Sequence, residues 1–166
     1  MERASVIYFV RHAKAGERRS WEGDDVDRPL SKTGWKQSTA VARRLAKKDI
    51  TALYASPYIR CMQTLEPLGG LTGLKVQADR RLFEGEPFEP VLDLLNEVED
   101  GAVLCSHGDI IPEVITALVR RGMEVETPAD WSKASVWVLR RKGSRITKGK
   151  VWPAPKSTRS SAQANR

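Results

Sequence analysis

Four short apolar runs, separated by polar or amphipathic stretches, constrain the fold of this chain more than any other feature. They are residues 5–10 (SVIYFV), 51–55 (TALYA), 102–106 (AVLCS) and 134–139 (ASVWVL). Runs this short and this rich in β-branched and aromatic residues read as strands. The first and third are apolar almost throughout, as a strand buried on both faces must be. Helix-period segments stand between them. Strands alternating with helices predict an α/β protein, a three-layer α/β/α sandwich around a mainly parallel sheet. In such sheets ligands bind beyond the carboxyl ends of the strands.

The intervening segments can be assigned in the same way. Residues 11–29 are polar, glycine-containing and aperiodic, and predict a loop. Ser31 is the expected N-cap of a helix running to about Lys48. Ser56 and Pro57 are expected as cap and first position of the next helix, which should break near Gly69-Gly70. Residues 74–78 predict a short strand and 89–98 a helix. Residues 109–121 form another helix with an apolar stripe of Ile111, Val114, Ile115, Leu118 and Val119, and Pro112 in its tolerant first turn. Residues 145–151 predict an edge strand. The expected organisation is one domain over 1–152 and a basic, disordered tail over 153–166.

Charge is unevenly placed. Of the 28 Lys and Arg, nine lie in residues 140–166, where there is no acid, and the remaining 19 face 21 Asp and Glu. The net charge of +7 therefore belongs to the C-terminal segment and does not point to a nucleic-acid partner. No apolar run approaches the ~18 residues of a membrane helix, and no signal-peptide core is evident, so a cytoplasmic protein is expected. Cys61 and Cys105 fit no disulfide framework and are expected as buried, reduced thiols.

The chain has two histidines, and both follow strands. His12 lies just past the first strand and His107 directly past the 102–106 strand, each before a small residue, Ala13 or Gly108. Arg11 adjoins His12, and Arg60 lies early in the helix after the second strand. Arginine forks onto phosphate oxygens. A neutral imidazole can attack phosphorus and split one displacement into two. The other histidine and the arginines would stabilise charge on the equatorial oxygens. Glu84 is the candidate acid for the leaving group, with Glu86 as its competitor. Lys14, Arg18, Arg19, Trp21 and Gly108 are candidate substrate contacts; Trp21 could stack on a base, or simply pack its own loop. Two histidines without carboxylates at ligand spacing make no metal set, and no cofactor is expected.

Val10-Arg11-His12-Ala13 resembles the hallmark of the histidine phosphatase (phosphoglycerate mutase-like) superfamily. Three further segments match in order: Leu30-Ser31-Lys32-Thr33-Gly34-Trp35-Lys36-Gln37, Ser56-Pro57-Tyr58-Ile59-Arg60-Cys61-Met62-Gln63-Thr64, and Cys105-Ser106-His107-Gly108. The resemblance implies His12 as nucleophile, Arg11 and Arg60 on the phosphoryl group, and His107 completing the pocket. The compact length is similar to the SixA-type phosphohistidine phosphatases. Residues 23–30 and 60–68 also resemble the phosphatase-like C-terminal domain of some actinobacterial MutT-type Nudix hydrolases. With no Nudix box, the chain would be such a domain standing alone. The expected partner is a phosphorylated substrate, either a phosphohistidine protein or a small phosphate ester such as a nucleotide. A non-catalytic phosphate-binding module is the rival outside enzymology.

Overall fold

The computed structural model describes residues 4–156. Its frame is one seven-stranded sheet in the order β3-β2-β4-β1-β6-β7-β5, comprising β1 (Ala4–Arg11), β2 (Ala52–Ala55), β3 (Val76–Ala78), β4 (Ala102–Ser106), β5 (Glu124–Val125), β6 (Val136–Lys142) and β7 (Arg145–Trp152). β1 to β4 are mutually parallel. β6 alone is reversed, pairing antiparallel with β1 and β7, while β5 runs parallel to β7.

Side chains alternate across the strands, so each face carries its own core. Ile7, Phe9, Leu104, Trp137 and Leu139 pack on one side with α3 (Glu89–Glu97) and α4 (Ile110–Arg120). Tyr8, Val10, Leu53, Val103, Cys105 and Val136 pack on the other with α1 (Lys32–Leu45) and α2 (Ile59–Thr72). Sheet and helices thus make the three layers that the strand runs imply. β1 and β4 are neighbours whose following helices lie on opposite faces. Their carboxyl ends therefore part the layers and leave a crevice. Arg11 pairs with Ser106 in register, so His12 and His107, one residue further along each strand, emerge side by side.

Local chemistry sets the helix ends nearest this crevice. Ser31 caps α1 by accepting from the Gly34 amide at 3.1 Å. A Cβ on Gly34 would stand 1.9 Å from the Lys14 carbonyl oxygen, so only glycine lets α1 close on the loop after β1.

Three sequence expectations are corrected. α2 begins at Ile59 with Tyr58 as cap, not at Ser56-Pro57, because the Ser56 hydroxyl is engaged with His107. The same helix passes through Gly69-Gly70 and ends at Gly73, whose φ of +77° makes the left-handed cap. Gly69 serves close packing instead, since its Cβ would meet the Leu74 carbonyl oxygen at 2.9 Å. β7 is not an edge: the two-residue β5 lies outside it.

Cys61 and Cys105 are free and fully buried. Residues 153–156 have no regular structure, although Ala154 packs against the α1–α2 core. The rest of the expected disordered tail, 157–166, lies outside the described residues. Among the described residues no helix is long and apolar enough to cross a membrane.

Candidate active site

Beyond the carboxyl ends of β1 and β4 lies a cleft of about 420 Å³. Its floor is built from buried polar side chains: His12 is 5% exposed, Arg60 1% and His107 0%. Burying such groups is costly unless each is held by partners. The two imidazole rings meet edge to face, with centroids 5.5 Å apart.

Hydrogen bonds fix which nitrogen of His12 is available. Nδ1 lies 2.8 Å from the Ala13 carbonyl, which can only accept, so Nδ1 carries the proton and Nε2 keeps its lone pair. The loop is pinned at the same point: the His12 amide donates to the Ser106 carbonyl, and the Ala13 amide to Thr64 Oγ1, whose hydroxyl donates to the Arg60 carbonyl. Burial above all holds the His12 pKa down, to about 3; the charges of Arg60, Arg11 and Lys133 add to this against the Ala13 hydrogen bond. The ring is therefore neutral near pH 7, as a nucleophile must be.

His107 is oriented in the opposite sense. Its Nε2 lies 2.8 Å from Ser56 Oγ and 3.6 Å from Cys61 Sγ. The Glu84 carboxylate, 3.7 Å from Nδ1, favours the ring proton on that side, which leaves Nε2 to accept from the Ser56 hydroxyl. Burial, then the neighbouring His12 and Arg60, pushes the His107 pKa down to about 2. Nδ1 is buried without a hydrogen-bond partner, and so are Arg11 Nε and Arg60 Nε. Buried donors are nearly always satisfied. Three unsatisfied ones in a single site, all nitrogen, mark a hollow suited to an anion.

The arginines are aimed by their surroundings. Arg11 Nη1 donates to the Trp131 carbonyl at 2.7 Å, and its guanidinium lies against Gly108, where a Cβ would stand 2.7 Å from Cζ. Arg60 donates from Nη1 to the Asp25 carbonyl, and from Nη2 to Asp25 Oδ2 and Glu84 Oε1, both at 3.2 Å. Asp25 also receives Arg28 Nε at 2.8 Å. Burial would raise the Asp25 carboxyl, but the Arg28 hydrogen bond and the charges of Arg60, Arg28 and Arg18 leave it below its ordinary value. Glu84 Oε1 lies 3.7 Å from His107 Nδ1. Its loop is tied down by Ser106 Oγ donating to the Leu82 carbonyl and by the Gly85 amide donating to Asp109 Oδ2, both at 2.8 Å.

The structure therefore brings Arg11, His12, Lys14, Arg18, Arg60, Glu84 and Gly108 to one cleft, over His107. It does not bring Arg19 or Trp21 there. Trp21 is exposed, and its indole N–H donates to the Asp24 carbonyl of its own loop. Glu86 lies in a separate hollow beside Arg80 and Arg81. Sequence reasoning missed Asp25, Arg28, Asp109 and Lys133. The acid-and-arginine cluster 24–28 was a usable signal for the first two; Lys133 gave none. Among the described residues no group of His, Cys, Asp and Glu is arranged to hold a metal ion.

Comparison with known proteins agrees with this geometry. The sequence profile of the histidine phosphatase superfamily (branch 1) matches residues 7–87. The 8-oxo-(d)GTP phosphatase of Mycolicibacterium smegmatis is 33% identical over 152 residues, covering 81% of this chain and 44% of that protein. The chain spans about half the length, or less, of the curated relatives it matches. Among solved structures, the protein histidine phosphatase SixA complexed with tungstate superposes with a TM-score of 0.71 at 22% identity, over 89% of this chain and 94% of that one. A mycobacterial glucosyl-3-phosphoglycerate phosphatase superposes with a TM-score of 0.66 at 22% identity, over 92% and 100%. Residues 7–87, which carry the His12 and Arg60 motifs, belong to the histidine phosphatase superfamily, and the chain as a whole shares the SixA-type fold.

Proposed function

We propose that this protein is a metal-independent phosphatase acting through a covalent phosphohistidine on His12. The observation that carries this reading is the trio of unpartnered buried donors, Arg11 Nε, Arg60 Nε and His107 Nδ1, beside a histidine whose Nε2 lone pair is free. His12 Nε2 attacks phosphorus as the bond to the leaving group breaks. The arginines and His107 hold the equatorial oxygens. Water then attacks the phosphorus–Nε2 bond, releasing inorganic phosphate and restoring the imidazole. Substitution of any one of the three buried donor residues should cost about 100- to 1000-fold in rate, as for other preorganised donors.

The first substrate reading is SixA-like removal of phosphate from a phosphohistidine protein, because the cleft is open enough to admit a protein loop. Glu84 favours a second reading. An alkoxide leaving group needs a proton, and Glu84 is a carboxyl poised in the cleft to donate one to a small phosphate ester. The M. smegmatis relative, named for a nucleotide substrate, gives that reading added weight.

The test is hydrolysis of 4-nitrophenyl phosphate in the presence of a chelator, with the wild-type chain and His12→Ala. Wild-type turnover with none in the variant supports the proposal; equal turnover in both sinks it. A phosphohistidine protein assayed beside nucleotides then separates the two substrate readings.

A further inference from the structure

One wall of the cleft is the loop before β6, and it is built more firmly than a connecting loop needs to be. Ala134 has a φ of +68°, a conformation that a residue with a Cβ adopts at a cost of about 1 kcal/mol or more. It is fully buried, and its amide lies 3.1 and 3.2 Å from the Arg11 and His12 carbonyls. The Arg11 amide donates to the Ser135 carbonyl, and the Arg11 guanidinium to that of Trp131. Ser132 is folded back onto Asp130 through both its amide and its hydroxyl. Strain of this kind persists only where surrounding structure enforces it. Its effect here is to deliver the Lys133 side chain into the cleft.

Lys133 arrives among like charges. Burial first, and then Arg11, Arg28, Lys14 and Arg18, hold its ammonium below the ordinary lysine value. None of the ion pairs among the described residues involves Lys133 or Lys14. Of the acids lining the cleft, Glu84 is bound to Arg60 and Asp109 to the Gly85 amide, and Glu17, on the same loop as Lys14, is in none of those ion pairs. A transferred phosphoryl group has three non-bridging oxygens, and Arg11, Arg60 and His107 already present buried donors to them. The two lysines at the mouth exceed what one phosphoryl group can use.

Resting on the phosphatase reading above, we infer that Lys133 and Lys14 form a second anion subsite, and that the substrate carries a second anionic group, phosphate or carboxylate, beside the phosphoryl group that meets His12. This subsite sets specificity and takes no part in bond breaking. It binds a group a short linker away from the reacting phosphorus, at the solvent edge of the cleft, where attraction is screened by salt.

The experiment uses the full chain and two probes that cannot be hydrolysed, propylphosphonate and propane-1,3-bisphosphonate, with affinities measured by calorimetry at low salt. The bisphosphonate has two equivalent ends, so chance alone gives it a two-fold advantage. The wild type should prefer it by at least ten-fold. Lys133→Gln should reduce the preference to near two-fold, and Lys133→Arg should restore it. Lys36→Gln, on the outer face of α1 and away from the cleft, removes one charge and should leave the preference as it was. Equal weakening of both probes by Lys133→Gln would mean that Lys133 serves the phosphoryl group itself, and would overturn the inference, as would an unchanged preference. A wild type that binds propylphosphonate without favouring the bisphosphonate refutes the second subsite alone. A wild type that binds neither refutes the phosphoryl hollow and everything drawn from it.

Discussion

The floor of the cleft and its rim both carry basic side chains, under opposite physical regimes. On the floor, His12, His107 and Arg60 are almost wholly buried, and each is braced by named partners: the Ala13 carbonyl, the Ser56 hydroxyl and the Asp25 carboxylate. On the rim, Lys14, Arg18 and Lys133 are exposed, and Arg18 reaches Asp25 and Glu84 only at 3.9 and 4.0 Å. Charge held in a low-dielectric, prearranged setting acts strongly on a reacting centre, whereas charge in water acts weakly and is easily moved. The contrast separates chemistry from selection within one cleft.

The sharpest way to break this contrast is His12→Ala, expected to lower phosphatase turnover by at least about 1000-fold in steady-state assays while the protein stays folded by circular dichroism. Arg60→Ala should come next. It leaves Glu84 without its close ion pair and Asp25 with Arg28 as its close partner, and is expected to cost about 2–3 kcal/mol in urea denaturation, less than for a fully buried pair because both carboxylates keep about a third of their exposure. Arg18→Ala, on the rim, should cost under about 0.5 kcal/mol in the same measurement. A cost for Arg18 equal to that for Arg60 would erase the distinction between floor and rim.

The histidines make a pH prediction with a definite sign. Folded, they titrate at about 3 and about 2; unfolded, both return to about 6.5. Below pH 6.5 the unfolded chain takes up protons that the fold refuses, so stability falls steadily as the pH drops from 6.5 and levels off only below the folded values. The chain has no other histidine, so the slope between pH 6.5 and 5 belongs to these two. Urea midpoints at pH 7 and pH 5 measure it. A flat profile would show that the rings are solvated. Smaller again is Ser56→Ala, which frees His107 Nε2 and should slow turnover about ten-fold, the scale of an orienting partner. Trp21→Ala, outside the cleft, should change turnover by less than about two-fold.

The layers of this fold are legible because strands buried on both faces leave unbroken apolar runs, and 5–10 and 102–106 have them. The histidines are legible for the same reason: each sits where such a run stops. What escaped notice did so for physical reasons. Ser56 looks like a helix cap because a serine hydroxyl serves either purpose, and only the approach of His107 decides between them. Gly69 looks like a helix stop because a sequence does not reveal that Leu74 comes within reach of it. β5 is two residues long and has no periodicity to detect. Lys133 is one lysine among many until the turn at Ala134 aims it.

Gly108 has one more consequence. A single methyl group there would occupy the space of the Arg11 guanidinium, against a glycine that otherwise bears no load in the core. Gly108→Ala would thus be a wedge: a folded protein with a fouled anion seat, silent in any assay of stability and evident only when phosphate is offered. Variation at this position would disarm the molecule without unmaking it, and catalogues of damaging substitutions built on stability alone would pass over it.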